Sequence, residues 1–165
     1  MDDVALSSLA AELGTALKSR GYTLALAESC TGGMVAQAVT GIAGSSAWFD
    51  RGFVTYSNEA KIEMLGVSSL TLEKFGAVSE QTAIEMAVGA LKNSHSQMTG
   101  SITGIAGPDG GTPEKPVGTV CFAWAETHKP TSTTTMYFKG NRQEIRQQAT
   151  IELMTGLIDR LNGND

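Results

Sequence analysis

An apolar run from Tyr22 to Ala27 breaks off in the segment ESCTGG, after which Met34 to Thr40 has the make-up of a short helix. A short apolar run bounded by turn residues reads as a buried strand, and paired glycines behind it read as the entry to a helix. A strand covered in this way needs helices on both of its faces, which steers the chain toward an α/β sheet.

The remaining pattern extends that frame. Leu6, Leu9, Leu13 and Leu17 mark one face of an N-terminal helix that stops at Gly21. Phe49 to Tyr56 has aromatic and β-branched strand character, and Ser57 or Asn58 caps a helix toward Leu65. Ser68 to Phe75 reads as a further short helix. Ser79 opens a longer one with Ile84, Ala87, Val88 and Leu91 facing inward. Gly100 to Gly104, Thr119 to Ala125 and Thr133 to Phe138 read as strands, the last two adjacent, with a turn around Lys129 and Pro130. Asn141 with Glu144 forms a capping box for the last helix, whose buried stripe is Ile145, Ala149, Leu153 and Leu157. Helices interleave with strands early and two strands run together late. The expectation is a three-layer α/β/α sandwich around a mixed sheet, one domain over residues 1–165.

At 165 residues, 41% of them hydrophobic and 18% charged, the chain has material for one real core. A net charge of −5 argues against a nucleic-acid surface. No apolar run reaches the roughly 20 residues that span a bilayer, and the N-terminus lacks the basic region of a signal peptide. Cys30 and Cys121 make neither a disulfide framework nor a metal-ligand spacing, so a reducing cytoplasm is expected.

Elimination narrows the chemistry. His95 lies in the polar stretch LKNSHSQ and His128 beside a turn, so a Ser-His-Asp triad has no histidine at a strand end. What remains is serine or threonine activated by a lysine. A lysine accepts a proton only when neutral, and bringing its pKa from about 10.4 toward 7 to 8 costs about 4 kcal/mol. Burial or a nearby cation supplies such a shift. Lys61 is the candidate base: it follows a strand and sits near a helix start, where the dipole disfavours another positive charge. Its competing reading is a solvated helix lysine. Cys30, with Glu28 and Lys61, offers a Glu-Lys-Cys amidase set instead, or is a small buried residue.

Two further segments bear on a ligand. The loop Gly104 to Gly118, GIAGPDGGTPEKPVG, can turn its amides toward an anion but lacks the ending of a nucleotide P-loop. Arg142 and Arg146 share a helix face in the first turns, where cations oppose the dipole. They point to a phosphate or carboxylate ligand, or to an ion pair with Asp50 or Asp109.

The segments AESCTGG, IAGSSAWFDRGFVTYSNEAK, GAVSE, GIAGPDGG, KPVGTV and FKGNRQEIRQQA, in that order, resemble the CinA C-terminal domain family. Within it the chain is similar to the stand-alone members, and the match covers nearly the whole sequence. The resemblance implies hydrolysis of the carboxamide of nicotinamide mononucleotide (NMN) to nicotinic acid mononucleotide and ammonia, with no metal and no cofactor. It implies a Ser-Lys dyad, for which the matching residues are Ser46 as nucleophile and Lys61 as base, with Tyr56 beside them. Substrate-binding positions carried over are Ser29, Thr31, Gly32, Gly33, Ser45, Thr103, Gly104 and Gly107, with Arg142 and Arg146 for the 5′-phosphate. The pyridinium of NMN would help keep Lys61 neutral, and backbone amides near Ser46 or in the Gly104 loop would hold the oxyanion. A homodimer is also implied, acting on a small molecule and on neither nucleic acid nor membrane. A Cys30-based amidase and a non-catalytic nucleotide-binding module are the alternatives.

Overall fold

The computed structural model describes residues 3–164. Five strands, β1 (Leu24–Glu28), β2 (Phe49–Val54), β3 (Met98–Gly104), β4 (Thr119–Glu126) and β5 (Ser132–Tyr137), form one sheet in the order β2-β1-β3-β4-β5. β1 runs parallel to β2 and β3, whereas β4 is antiparallel to both β3 and β5. Six α-helices complete the fold: α1 (Asp3–Arg20), α2 (Met34–Thr40), α3 (Asn58–Leu65), α4 (Ser69–Phe75), α5 (Glu80–Lys92) and α6 (Arg142–Leu161). The mixed sheet between two helical layers is the expected α/β/α arrangement.

Strand alternation assigns the layers. Leu24 and Leu26 of β1, Met98 and Ile102 of β3, and Val120, Phe122 and Trp124 of β4 pack with buried residues of α1 and α6 in the main core. The opposite face carries small and hydroxyl side chains, Ala27, Thr99, Ser101, Cys121, Ala123 and Ala125, against α5. Thr99 and Ser101 donate to the carbonyls of Ala87 and Ala83 at 2.7 and 2.6 Å, so α5 lies close on the sheet with its buried hydroxyls satisfied. The inward stripe of α5 includes Ala83, Met86, Ala87 and Ala90. Val88, expected there, is instead 40% exposed, because the small facing residues let the helix roll its alanine side inward.

Most of the remaining expectations hold to within a few residues. Ser57, Ser79 and Asn141 cap α3, α5 and α6 through their side chains, and the Asn141–Glu144 capping box is complete. Between Leu24↔Phe49 and Ala25↔Arg51 the β1–β2 register takes up one extra residue, Asp50, on β2. Asp50 accepts from Arg51 and from the amide of His95.

Topology also marks where a ligand belongs. The chain leaves β1 through α2 to reach β2 on one side, and from β2 through α3, α4 and α5 to reach β3 on the other. The loops after β1 and β3 therefore diverge, opening a crevice beyond the C-terminal ends of the strands, where α/β sheets bind their ligands.

Candidate active site

A cleft of about 290 Å³ occupies that crevice. Ser29 and Cys30 line it from the end of β1, Tyr56, Asn58 and Lys61 from beyond β2, and Thr103 to Gly107 from β3. Asp109 and Arg142 complete the rim. A larger cavity, about 370 Å³, lies between α1, α2 and α6, but no titratable side chain lines it.

Lys61 sits in the first turns of α3 with its side chain directed back along the helix, as Cα–Cβ bonds tilt toward a helix N-terminus. It is 1% exposed. Its Nζ donates to the carbonyls of Thr55 and Tyr56 at 3.0 and 3.2 Å and lies 2.9 Å from Ser29 Oγ. Burial pushes its pKa below the ordinary value; the Cys30 thiol opposes the shift more weakly. A neutral amine has two N–H groups and one lone pair. As an ammonium, Nζ donates to all three oxygens; in the neutral form the two carbonyls would take the N–H groups and leave the lone pair for the Ser29 hydroxyl.

The segment that carries Ser29 is held from two sides. Glu28, buried at 1% exposure, accepts from Thr31 Oγ1 at 2.6 Å and from the amides of Gly33, Val35 and Ala36 at 3.1, 3.1 and 2.9 Å. A carboxylate at a helix N-terminus meets both the free amides and the positive dipole end, so Glu28 locks the turn onto α2. Glu28 is thereby fully engaged, and the Glu-Lys-Cys set is not formed. Arg146 donates from Nε to the Cys30 carbonyl and from Nη2 to the Thr31 carbonyl, at 3.1 and 3.0 Å. Gly33, with φ 108, lets the chain turn into α2.

The remaining cleft residues are anchored by the neighbouring loops. Thr103 Oγ1 donates to the Ala77 carbonyl at 2.8 Å. Arg142 donates to the Gly107 carbonyl at 2.7 Å and to the Tyr56 hydroxyl at 3.2 Å. The Cys30 thiol is pushed up to about 12, first by burial and then by the charge of Glu28, so it stays protonated near neutrality. Among the described residues no three His, Cys, Asp or Glu side chains come together as a metal site, and no helix is long and apolar enough to cross a membrane.

Several of the expected residues fall elsewhere. Ser46 is exposed on a 3-10 turn, Ser45–Ala47, just before β2. Lys61 Nζ reaches carbonyls just past the other end of that strand. Six residues of β2 lie between, which at about 3.3 Å each is roughly 20 Å. Ser46 therefore cannot share a proton with Lys61, and Ser45 is distant for the same reason. Arg146 holds the Ser29 turn and does not line the cleft. Thr31, Gly32 and Gly33 shape that same turn, and none of them lines the cleft. Ser29, Lys61, Tyr56, Thr103, Gly104, Gly107 and Arg142 do converge there. Asp109 and Asn58 are the polar cleft residues that sequence reasoning did not count as ligand contacts, beside the apolar Ala77, Val78, Ile105 and Ala106. A loop directly following a strand, in a fold that binds at such ends, was the available signal for Asp109.

Comparison with known proteins agrees with this architecture. A family model described as the CinA C-terminal domain matches residues 6–161. The nicotinamide-nucleotide amidohydrolase PncC of Enterobacter agglomerans is 54% identical over 158 residues, covering 95% of this chain and 96% of that protein. Its namesake from Escherichia coli K12 is 57% identical over 150 residues, covering 91% of each. The crystal structure of the competence/damage inducible protein CihA from Agrobacterium tumefaciens superposes with a TM-score of 0.92 at 47% identity, covering 96% of both chains.

Proposed function

The chain belongs to the CinA C-terminal domain family, and on that premise we propose that it hydrolyses the carboxamide of NMN to nicotinic acid mononucleotide and ammonia. In this reading Ser29 is the nucleophile and Lys61 the general base. One observation carries it: a buried, neutral-leaning amine whose two N–H groups are taken by carbonyls while its third direction meets a serine hydroxyl in the ligand crevice. The relatives named for nicotinamide-nucleotide amidohydrolysis support the substrate.

The cycle follows from that geometry. Ser29 Oγ attacks the amide carbon as its proton passes to Lys61 Nζ, giving a tetrahedral oxyanion. Lys61, now an ammonium, returns the proton to the departing nitrogen, so ammonia leaves and an acyl-serine ester remains. Water then attacks the ester, Lys61 takes one of its protons and returns it to Ser29 Oγ, and the acid product departs, its remaining proton passing to solvent to leave the carboxylate. The amides of Cys30 and Thr31 donate to no carbonyl or carboxylate among the described residues, and as the next groups after the nucleophile they suit the oxyanion. Arg142, with three N–H groups beyond those already bonded, suits the 5′-phosphate.

The test is ammonia release from NMN by the purified protein against its Ser29→Ala variant. Turnover by the parent and its loss in the variant are expected; no ammonia from NMN, or full activity in the variant, would overturn the assignment.

A further inference from the structure

We propose that Asp109 selects the positively charged ring of the substrate, making the cleft prefer N-ribosylated pyridinium carboxamides over neutral ones of the same shape. This rests on the reading of the cleft as an NMN site.

Asp109 is the one carboxylate among the described residues that lines the cleft. Among the described residues it makes no hydrogen bond and no ion pair. Its side chain is exposed to solvent and shares the cleft lining with the Arg142 guanidinium. The Arg142 fork bonds the Gly107 carbonyl and the Tyr56 hydroxyl, and not Asp109. The cleft thus presents one unpaired anion and one cation with donors to spare, above a base that works uncharged. NMN has the matching pattern: a pyridinium beside the reacting carboxamide, and a phosphate further out on the ribose.

The loop that carries Asp109 is closed at its base. Ile105 donates to the Thr119 carbonyl at 2.9 Å and Gly118 to the Ile105 carbonyl at 2.8 Å, closing the loop at its base. A Cβ on Gly107 would meet Val117 Cγ1 at 2.4 Å, so the backbone is packed against the far side of the loop. An exposed, unpaired carboxylate at a cleft rim attracts a cationic ligand through its charge.

Reduced NMN keeps the carboxamide, ribose and phosphate but carries no ring charge, so it separates charge recognition from hydrogen bonding to the ribose. The experiment measures the dissociation constants of NMN and reduced NMN by calorimetry in a Ser29→Ala background, with and without Asp109→Ser. The serine removes the charge and keeps a hydroxyl. We expect NMN binding to weaken by about fivefold or more, and reduced NMN to change by less than about twofold. Equal weakening of both nucleotides, or no weakening of either, overturns the proposal. Failure of the functional reading looks different. If the parent releases no ammonia from NMN but the Asp109-dependent preference is seen, charge selection stands and the reaction assignment falls. If ammonia is released and the preference ignores Asp109, only the charge selection falls.

Discussion

Lys61 and Ser29, 32 positions apart in sequence, meet at 2.9 Å because β1 and β2 are parallel neighbours whose C-terminal ends open on the same crevice. Removing either group removes the proposed reaction. Ser29→Ala and Lys61→Met should each lower kcat for ammonia release by about a thousandfold or more, with thermal unfolding checked in parallel. Ser46→Ala, an exposed change at the opposite end of the sheet, should stay within about twofold of the parent. A severe loss in the Ser46 variant would restore the dyad that the geometry separates.

The pH dependence follows from burial. The Lys61 amine is held below its ordinary value of 10.5, and in the proposed cycle its neutral form is the base. The kcat/KM for NMN should therefore rise with pH through one ionisation and level off at a pH below 10.5. Stability carries the same sign. Between the two pKa values the unfolded lysine binds a proton that the folded one does not, so this group's contribution grows with pH and is lost as pH falls through the folded value. A pH–rate profile that is flat, or that still climbs above 10.5, would contradict the assignment.

The two arginines of α6 should separate kinetically. Arg142 lines the cleft, so Arg142→Ala should act mainly on KM, raising it by about tenfold. Arg146 holds the carbonyls of Cys30 and Thr31, so Arg146→Ala should act mainly on kcat by loosening the turn behind Ser29. Steady-state kinetics with NMN decides, and matching effects on KM would return Arg146 to the phosphate.

Cys30 lines the cleft with a thiol pushed up to about 12. Cys30→Ala should keep activity within about threefold, and iodoacetamide should label the parent slowly near pH 7 because little thiolate is present. Rapid labelling coupled to inactivation would revive the thiol as nucleophile.

Gly89 lets α5 approach the end of α3, the helix that carries Lys61. A Cβ there would lie 2.0 Å from the Leu65 carbonyl oxygen. Gly89→Ala should cost about 2 kcal/mol or more in urea unfolding and should lower activity as α3 shifts. Unchanged stability would show that the two helices can slide apart freely.

Helix stripes and caps made most of the fold legible. Leu13 and Leu17, the Asn141 capping box and the serine caps at 57 and 79 are local signals, and local signals survive folding. The placement of α5 was less legible, because which helical face turns inward depends on Thr99, Ser101 and Ala123, which come from distant strands. Lys61 was found from its position after a strand. Its serine partner was misplaced because motif matching carries no information about which end of a strand a residue occupies. Ser29 follows β1 and Ser46 precedes β2, and binding at the C-terminal ends of parallel strands favours Ser29 as the serine beside Lys61. The arginines looked equivalent at four-residue spacing. Only the turn folded beneath α6 distinguishes one that grips backbone from one that faces the cleft.

Asp50, the extra residue near the start of β2, works as a spacer whose effect is read at the opposite rim of the sheet. Side chains along a strand point up and down in turn, so shortening β2 by that one position would invert everything downstream of it. Val54 would swing toward the interior and Thr55 away from it, and the carbonyl pair that orients the lysine would move out of phase with β1. A small irregularity at one end of the sheet thus sets the alignment by which Lys61 and Ser29 meet at the other.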